Sequence, residues 1–354
     1  MLKGLLLRLY RDLKGDVFAI PGRTIALVFA VSLLVLPLFS QDPYLLRVIV
    51  FASIFAIFAA SWDLLTGFVG QMNLGHALFF GVAAYGSALI NVHVGLSPWI
   101  TIILGALIAV LTGLLVGLPA LRLRGVYLSL VTLAFPIILT GIIFVFSDLT
   151  GGELGLSGFD RLASSRLQEY YIAVLAMLIL CFTMWKITDS KLGIIFHAIR
   201  EDEIAARASG INTTRYKLLA FSLSGFFAGI AGAMYVHTIG VAVPSTLEIF
   251  MSFQAIIWAI FGGIGTIYGA VAGVFILFPA MEVLRLVPEW RMLLFAVMIV
   301  LVLRYMPQGL TRYVLDKLEI KCPRCKAVNA FTRQHCRVCL TVLREQHEQK
   351  KMSA

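Results

Sequence analysis

Long apolar runs separated by short polar connections occupy the chain from residue 24 to residue 307. The hydrocarbon core of a bilayer is about 30 Å thick, so a spanning helix needs about 20 apolar residues. The pattern therefore predicts an all-α polytopic membrane protein of about ten transmembrane helices, in which the short run 249–264 is a candidate for a helix pair broken at its glycines. The predicted spans are 24–40, 46–68, 74–92, 98–119, 125–147, 169–187, 217–239, 249–264, 268–286 and 291–307.

Composition excludes both disorder and an ordinary soluble enzyme. Of the 354 residues, 60% are hydrophobic and only 14% are charged, whereas soluble domains carry about 25% charged residues. Three parts follow from the pattern: a basic N-terminal arm at 1–23, a transmembrane domain at 24–310 and a basic tail at 311–354, whose segment 320–342 holds four cysteines.

The distribution of Lys and Arg predicts which connections are cytoplasmic. Five basic residues precede or enter the first run, which has no small-x-small cleavage site, so this run is interpreted as a retained signal anchor. The arm is either solvated or a helix lying on anionic lipid. Ten spans then place Arg122, Arg124, the loop 188–216 and the tail inside, as the positive-inside rule requires. We therefore expect a multi-pass protein of the cell membrane with both termini cytoplasmic, although Arg285 and Arg291 fit this topology less well.

Polar residues and glycines interrupt the apolar pattern between Ser61 and Tyr85. An Asp at the centre of a membrane helix costs about 2.5 to 3.5 kcal/mol, so such groups usually face a cavity or a partner. Each glycine weakens the helix by about 1 kcal/mol relative to Ala. A discontinuous helix beside a solute path is one interpretation, and an ordinary short loop joining two spans is the other. The residues concerned are Asp63, Gly70, Gln71, Asn73, Gly75 and His76.

A second glycine-rich stretch, Ala259 to Gly273, lies at the comparable position of the second half of the chain. The spacing of its glycines approximates the fingerprint of a dinucleotide-binding loop. The surrounding sequence lacks the strand and the downstream acidic residue that this fingerprint requires, so the match is attributed to composition. Two interrupted segments in two halves of about five spans each suggest the internal repeats that are common in transporters. Gly262, Gly263 and Gly265 are therefore included in the predicted translocation path.

The longest connection on the predicted cytoplasmic side is the loop 188–216, which is long enough for two short helices. The second helix is expected to start near Glu201 and to stop at Gly210, with its acids at the N-terminus that the helix dipole favours. The loop is either a solvated connection or a docking helix for a cytoplasmic partner.

Four motifs, in order, resemble the permease subunits of branched-chain amino acid ABC importers. They are LLTGFVGQMNLGHALFFGVAAYGSAL, LRGVYLSLVTLAF, SKLGIIFHAIREDEIAARASGI followed by YKLLAF, and FGGIGTIYGAVAG. The resemblance covers residues from about 25 to 310. It implies a membrane subunit that pairs with a companion permease, two ATPase subunits and an external solute-binding protein. It also implies that the loop carrying ARASGI couples the permease to the ATPase, which concerns Arg200, Glu201, Asp202, Glu203, Ala205, Ala206 and Gly210.

The expected function is therefore the translocation of branched-chain or related amino acids, with no catalytic residue in this chain. No GxxxxGK[ST] phosphate loop occurs in the sequence, so ATP would act only through partner subunits. Relatives commonly have Asn where this chain has Asp63, which adds a negative charge near the predicted path. The main alternative is an ion-coupled secondary transporter with Asp63 and His76 at the coupling site. A membrane-embedded enzyme and a nucleic-acid sensor are less favoured, and no nucleic-acid partner is expected.

Four of the five cysteines form two CxxC pairs in the tail, Cys322 with Cys325 and Cys336 with Cys339. Two such pairs suit the tetrahedral coordination of one structural Zn²⁺, and a reducing cytoplasm would keep the thiols free. The spacing between the pairs is shorter than usual for a zinc ribbon. An iron centre or a thiol switch is the alternative, and His335 is interpreted as a bystander.

Overall fold

The computed structural model describes residues 21–120, 123, 125–287, 289, 290, 293, 294, 296, 297, 300, 304, 309–325, 328–331, 335, 336, 338, 339, 341 and 342. Arg122, Arg124 and most of the predicted arm and of the predicted span 291–307 lie outside these residues.

Helices make up nearly all of the regular structure that is described. Eight of them are long and apolar enough to cross a membrane, which confirms the all-α, multi-pass class. The run 249–264 forms one helix of 14 residues rather than a broken pair, and the glycine break follows it. The helices are α1 Pro21–Phe39, α2 Pro43–Val69, α3 Ala77–Val94, α4 Pro98–Ala120, α5 Val126–Val145, α6 Ser147–Thr150, α7 Arg166–Thr188, α8 Lys191–Glu201, α9 Glu203–Ala208, α10 Thr213–Ile239, α11 Ile249–Gly262, α12 Ile267–Val283 and α13 Leu310–Leu318.

Two short antiparallel ladders complete the described structure. In the first, β1 (Leu156–Ser157) pairs with β2 (Val241–Ala242). In the second, β3 (Glu319–Lys321) pairs with β4 (Val328–Ala330). Three 3₁₀ turns lie at Gly152–Leu154, Pro244–Leu247 and Leu284–Leu286.

Contacts divide the chain into two compact units, one of residues 40–309 and one of residues 1–39 with 310–354. The helix α1, predicted to belong to the domain 24–310, thus groups with the tail. Within that smaller unit, Gly22 N donates a hydrogen bond to Glu319 Oε1 at 2.9 Å. The Leu315 side chain lies directly against Gly22. The start of α1 therefore packs on α13 and β3.

The larger unit is built around α2, which is buried along almost its whole length. The Phe55 ring of α2 packs in a tilted arrangement against Trp258 of α11 and Phe278 of α12, with ring centroids 5.2 and 5.3 Å apart. Glycines let α10 approach its neighbours closely, because a Cβ on Gly229 would lie 2.9 Å from Ala106 Cα of α4. Small residues at such contacts are typical of membrane helix packing, where van der Waals contact drives association.

Candidate functional site

The helix α2 ends at Gly70, and α3 does not begin until Ala77. Gly70 adopts a left-handed conformation with φ 74°, and its N–H donates to the Thr66 carbonyl at 3.1 Å. A glycine in this conformation ends a helix without the steric cost that a Cβ would bring. The segment 70–76 is therefore a non-helical connection between two apolar helices, as the glycines and polar residues predict.

Four of the seven residues of this connection are buried, namely Gln71, Asn73, Gly75 and His76, and its backbone groups are bonded to neighbouring helices. Irregular backbone is tolerated at membrane depth only where other groups satisfy it. The Thr132 carbonyl of α5 lies so close to Gly75 that no side chain fits there. The bonds are Thr66 Oγ1 to Gln71 O at 3.0 Å, Trp62 Nε1 to Asn73 O at 2.7 Å, Ser129 Oγ to Met72 O at 3.2 Å, Leu74 N to Thr132 Oγ1 at 3.2 Å and Ala77 N to Ser252 Oγ at 2.8 Å.

Both ring nitrogens of the buried His76 are bonded. Ser61 Oγ donates to the Phe58 carbonyl at 2.7 Å, so it accepts from His76 Nε2, which lies 2.9 Å away. Asn73 Nδ2 then donates to His76 Nδ1 at 3.4 Å. The partners thus assign a neutral imidazole with its proton on Nε2. His76 and Asn73 hold the connection in place from within the bundle.

A second break joins α11 to α12 through Gly263 and Gly265, whose φ angles are 122° and 78°. Gly262 packs against the Gly269 carbonyl, so α11 and α12 are in backbone contact beside the break. Gly265 N donates to Asp63 Oδ1 of α2 at 2.7 Å. Two interrupted segments, far apart in the sequence, therefore meet at one buried carboxylate.

The carboxylate of Asp63 is completely buried. Its Oδ2 has no hydrogen-bond partner among the described residues. Leaving a buried polar atom unbonded costs about 1 to 3 kcal/mol. Packing alone therefore gives no reason for a carboxylate at this position.

The helix α8 reaches the same place through Arg200. Its Nη1 donates to the Gly67 carbonyl of α2. A Cβ on Gly70 would lie 3.1 Å from Arg200 Cγ, and one on Gly265 would lie 3.1 Å from Arg200 Nη1. We call this meeting of α2, α8 and the α11–α12 break, defined by Asp63, Gly67, Arg200 and Gly265, the inner joint.

A cavity of about 220 Å³ adjoins the inner joint. Of the predicted path residues, Gly70 and Gln71 line it; Asp63, Asn73, Gly75, His76, Gly262, Gly263 and Gly265 do not. The lining residues are Val69, Gly70, Gln71, Met72, Gly125, Leu128, Ile199, Arg200, Glu203 and Lys217.

Two short helices, α8 and α9, occupy the loop 188–216. Asp202 caps α9, because its Oδ1 accepts from Ile204 N at 2.8 Å and from Ala205 N at 3.0 Å. The helix thus begins at Glu203 rather than near Glu201, and Gly210 follows its end with φ 85°. Ala206 is buried and Ala205 is exposed.

Glu203 fastens α9 to the long helix α10. Its Oε2 lies 2.6 Å from Lys217 Nζ, and the Lys217 side chain is only 4% exposed. Its Oε1 lies 2.9 Å from the exposed Arg207 and accepts from Thr213 Oγ1 at 3.3 Å. On α8, the pKa of His197 is lowered mainly by burial and secondarily by the nearby Arg200 charge. The centroid of the His197 ring lies 5.2 Å from that of the Phe68 ring. The α8–α9 pair is therefore attached to α2 and to α10 by separate bonds.

Comparison with known proteins identifies the family of the chain. Residues 44–303 match the family model described as branched-chain amino acid transport system, permease component. The chain belongs to this family. Members are transport subunits rather than enzymes, and the resemblance drawn from the four motifs is confirmed.

The relatives agree with the family match. The chain is 30% identical over 306 residues to the high-affinity branched-chain amino acid transport system permease protein LivM of Salmonella typhimurium, covering 78% of this chain and 72% of the relative. It is 29% identical over 347 residues to LivM of Escherichia coli, covering 88% and 82%. An autoinducer 2 import system permease protein, LsrC of Klebsiella pneumoniae, is 30% identical over 200 residues, covering 53% and 55%. No solved structure gave a significant match.

At the other end of α10, this permease carries a polar cluster, buried except for Asp160, that the sequence analysis missed. His237 Nδ1 donates to the Asp160 carbonyl at 2.7 Å, so Nε2 accepts from Ser87 Oγ at 2.8 Å. Asn91 Oδ1 accepts from Asp160 N at 2.8 Å. We call His237, Ser87, Asn91 and Asp160 the outer cluster. Polar residues near the ends of apolar spans were the available signal, but no local pattern links them.

The tail thiols lie outside the residues that the family model matches. Their four Sγ atoms all lie within 4.8 Å of one another. Both Cys322 to Cys339 and Cys325 to Cys336 have an Sγ separation of 3.4 Å. Disulfide sulfurs lie about 2.05 Å apart, whereas four thiolates about 2.3 Å from one tetrahedral ion lie about 3.8 Å apart. The cluster can therefore hold a single metal ion.

Hydrogen bonds to sulfur support this assignment. Val338 N and Asn329 Nδ2 lie 3.5 and 3.6 Å from Cys336 Sγ. The Cys339 amide lowers the pKa of Cys336 to about 6, which favours the thiolate that metals bind. His335 is exposed and is not part of the thiol cluster.

Proposed function

We propose that this chain is the permease subunit of an ATP-driven ABC importer in the cell membrane, and that it translocates branched-chain or related amino acids. A companion permease, two ATPase subunits and an external solute-binding protein would complete the importer, and membrane lipid would surround it. The match of residues 44–303 to the permease family carries the proposal. The names of the two LivM relatives favour branched-chain amino acids as the solute.

Both termini and the α8–α9 pair are assigned to the cytoplasm, where α9 would dock on an ATPase subunit. The loop that contains both helices carries Lys191, Arg200, Arg207 and Arg215, and Lys and Arg favour the cytoplasmic side of a membrane. Closure of the ATPase dimer would move α8 and α9 jointly, as one unit. Because Arg200 bonds to Gly67 of α2 and Glu203 pairs with Lys217 of α10, that push would reach two transmembrane helices at once.

The polar and glycine residues of the two interrupted segments would form the translocation path, with the cavity beside Gly70 and Gln71 at its cytoplasmic end. Asp63 Oδ1 connects the two segments by accepting the Gly265 N–H. A displacement of α2 by Arg200 would therefore be passed to the α11–α12 break.

The metal in the tail is proposed to be one structural Zn²⁺ per chain, held by Cys322, Cys325, Cys336 and Cys339. Four clustered sulfur donors favour Zn²⁺ over oxygen-preferring ions such as Mg²⁺ or Ca²⁺. Quantifying bound metals in the purified full-length chain tests this proposal. One zinc per chain supports it, while stoichiometric iron or no metal contradicts it.

Reconstitution in proteoliposomes with the companion permease and ATPase subunits tests the transport proposal. We expect uptake of radiolabelled leucine that requires both ATP and the solute-binding protein. Collapsing proton and Na⁺ gradients should leave this uptake unchanged. Uptake that follows an ion gradient and ignores ATP would instead establish the secondary transporter with Asp63 and His76 at its coupling site.

A further inference from the structure

The cavity beside the inner joint combines charged side chains of both signs with an apolar wall. Arg200 and Lys217 bring positive charges to its lining, and Glu203 brings a negative one. The Lys217 side chain is only 4% exposed, so its charge is largely withdrawn from bulk water. Aliphatic or thioether side chains form the rest of the wall, namely those of Val69, Met72, Leu128 and Ile199. The lining therefore suits a ligand that has two opposite charges and an apolar part.

The polar groups of this lining keep hydrogen-bonding capacity. Lys217 Nζ donates to Glu203 Oε2, and Arg200 Nη1 donates to a backbone carbonyl of α2. An ammonium and a guanidinium each carry further N–H donors, and among the described residues these have no acceptor. Within the same part of the chain, Gln71 donates through Nε2 while its Oε1 accepts no bond. The cavity thus offers donors for an anionic group and an acceptor for a cationic one.

The size of the cavity favours a small molecule. Its volume of about 220 Å³ is below the range of about 300 to 1,000 Å³ that is usual for drug-sized ligands. An α-amino acid with an aliphatic side chain matches each part of the lining. Its carboxylate suits Arg200 and Lys217, its ammonium group suits Glu203 and Gln71 Oε1, and its hydrocarbon chain suits the apolar wall. An inorganic anion would instead face the Glu203 carboxylate and leave the apolar wall without a partner.

We propose that this cavity is a regulatory site, which binds an aliphatic α-amino acid from the cytoplasm and slows import when it is occupied. The inference rests on the proposed function, in which α8 and α9 face the cytoplasm, and adds product inhibition to it. The lining residues belong to α2 and the connection after it, to α5, and to α8, α9 and α10. A ligand held among these elements favours the arrangement described here and opposes movement of α8 and α9 away from α2 and α10. The imported solute would thus limit its own uptake.

The test uses the complete importer in proteoliposomes, with ATP inside and the solute-binding protein with radiolabelled leucine outside. The initial rate of uptake is measured with and without unlabelled leucine inside. We expect saturating internal leucine to lower this rate about fivefold, within the usual range of allosteric coupling. Isocaproate, which lacks the ammonium group, and isoamylamine, which lacks the carboxylate, should leave the rate unchanged. Inhibition by either analogue at the concentrations at which leucine inhibits would overturn recognition of an amino acid.

Met72→Glu tests whether the inhibition arises at this cavity. Met72 lines the cavity but is half-exposed, and only its backbone carbonyl bonds to Ser129, so the substitution keeps that bond. A carboxylate here should raise the internal leucine concentration needed for half-maximal inhibition at least about tenfold, because like charges placed together are strongly unfavourable. Leu154→Glu, an exposed position outside the cavity, is the matched control and should keep the wild-type value. Each variant is compared with its own rate without internal leucine, and unchanged inhibition in Met72→Glu would overturn the location.

Failure of the proposed function gives a different result from failure of this inference. Normal ATP-driven uptake that ignores internal leucine overturns the regulation alone. Absence of ATP-driven uptake, whether or not leucine is inside, contradicts the proposed function and the inference with it. Binding supplies a measurement that does not depend on transport: the assembled importer without its solute-binding protein should bind radiolabelled leucine, and more weakly in Met72→Glu. Equal binding by this variant and the wild type, or no binding by either, would overturn the site.

Discussion

The two ends of α10 are held by different chemistry. Lys217 lies near one end and His237 near the other, 20 residues apart in the sequence and thus about 30 Å along the axis. At the Lys217 end, charged side chains and backbone-to-backbone glycine contacts join helices. At the His237 end, buried imidazole, hydroxyl and amide groups join the backbone of the loop at Asp160, whose own side chain is exposed, to three helices.

The difference indicates which end is built to move. At the Lys217 end, Glu203 and Arg207 are 19% and 54% exposed, so water can replace part of their bonding, and contacts between glycine backbones contain no interlocking side chains. When the outer cluster opens, its buried members Ser87, Asn91 and His237 lose their bonds without compensation. We therefore expect motion to concentrate at the inner joint, with the outer cluster as the fixed end.

The largest effect on uptake is expected from filling the space next to the inner joint. Gly70→Leu and Gly263→Leu should each reduce uptake about 100-fold, because both positions have positive φ and Gly70 abuts Arg200. Uptake in proteoliposomes, normalised to inserted protein, measures this. The control is Gly141→Leu, since a Cβ at Gly141 meets nothing within 4 Å. Normal uptake by both joint variants would refute the assignment of this region to the path.

A smaller loss of activity is expected from removing the charges that attach α8 and α9 to the transmembrane helices. Arg200→Gln with Glu203→Gln should reduce solute-stimulated ATPase activity at least about tenfold, because hydrogen bonds to charged groups contribute about 1.5 to 3 kcal/mol. Arg207→Gln is the control, since the Arg207 side chain is 54% exposed, and it should change the activity less than about twofold. Full stimulation in the double variant would exclude these bonds from coupling.

At the outer cluster, stability rather than transport should respond. His237→Ala leaves the Ser87 hydroxyl and the Asp160 carbonyl without their partner, which should cost about 2 to 4 kcal/mol. Thermal unfolding in detergent measures this, with the exposed His93→Ala as control. Uptake per folded complex should stay within about threefold of wild type. If uptake falls further while stability is unchanged, the outer cluster is a moving part.

The smallest expected effect is on the stability of the folded protein at acidic pH. Burial lowers the pKa of His197 below its usual 6.5, so the folded protein disfavours the charged imidazole. Since the unfolded chain binds the proton more readily, the folded state loses stability as pH falls below about 6.5. Comparing the melting temperature at pH 7.5 and 5.5 should show a smaller acid shift in His197→Gln than in wild type. Identical shifts would mean that His197 contributes nothing.

Sequence patterns predicted the elements of this permease better than their contacts. Apolar runs located the long helices because a bilayer fixes their length, and glycines beside polar residues located the break after Val69. Two CxxC pairs located the thiol cluster, because ligand spacing is local. By contrast, the bond from Gly265 to Asp63 and the outer cluster join distant segments, so no local pattern contained them.

The bond between Asp63 and Gly265 also sets an order of events during biosynthesis. Its two residues are 202 positions apart. At about 5 to 20 residues per second, the ribosome needs about 10 to 40 s to reach the second after making the first. Throughout that interval α2 carries a carboxylate whose bonding partner does not yet exist. The central helix of the bundle thus cannot make this bond until synthesis has passed Gly265, about three quarters of the way along the chain.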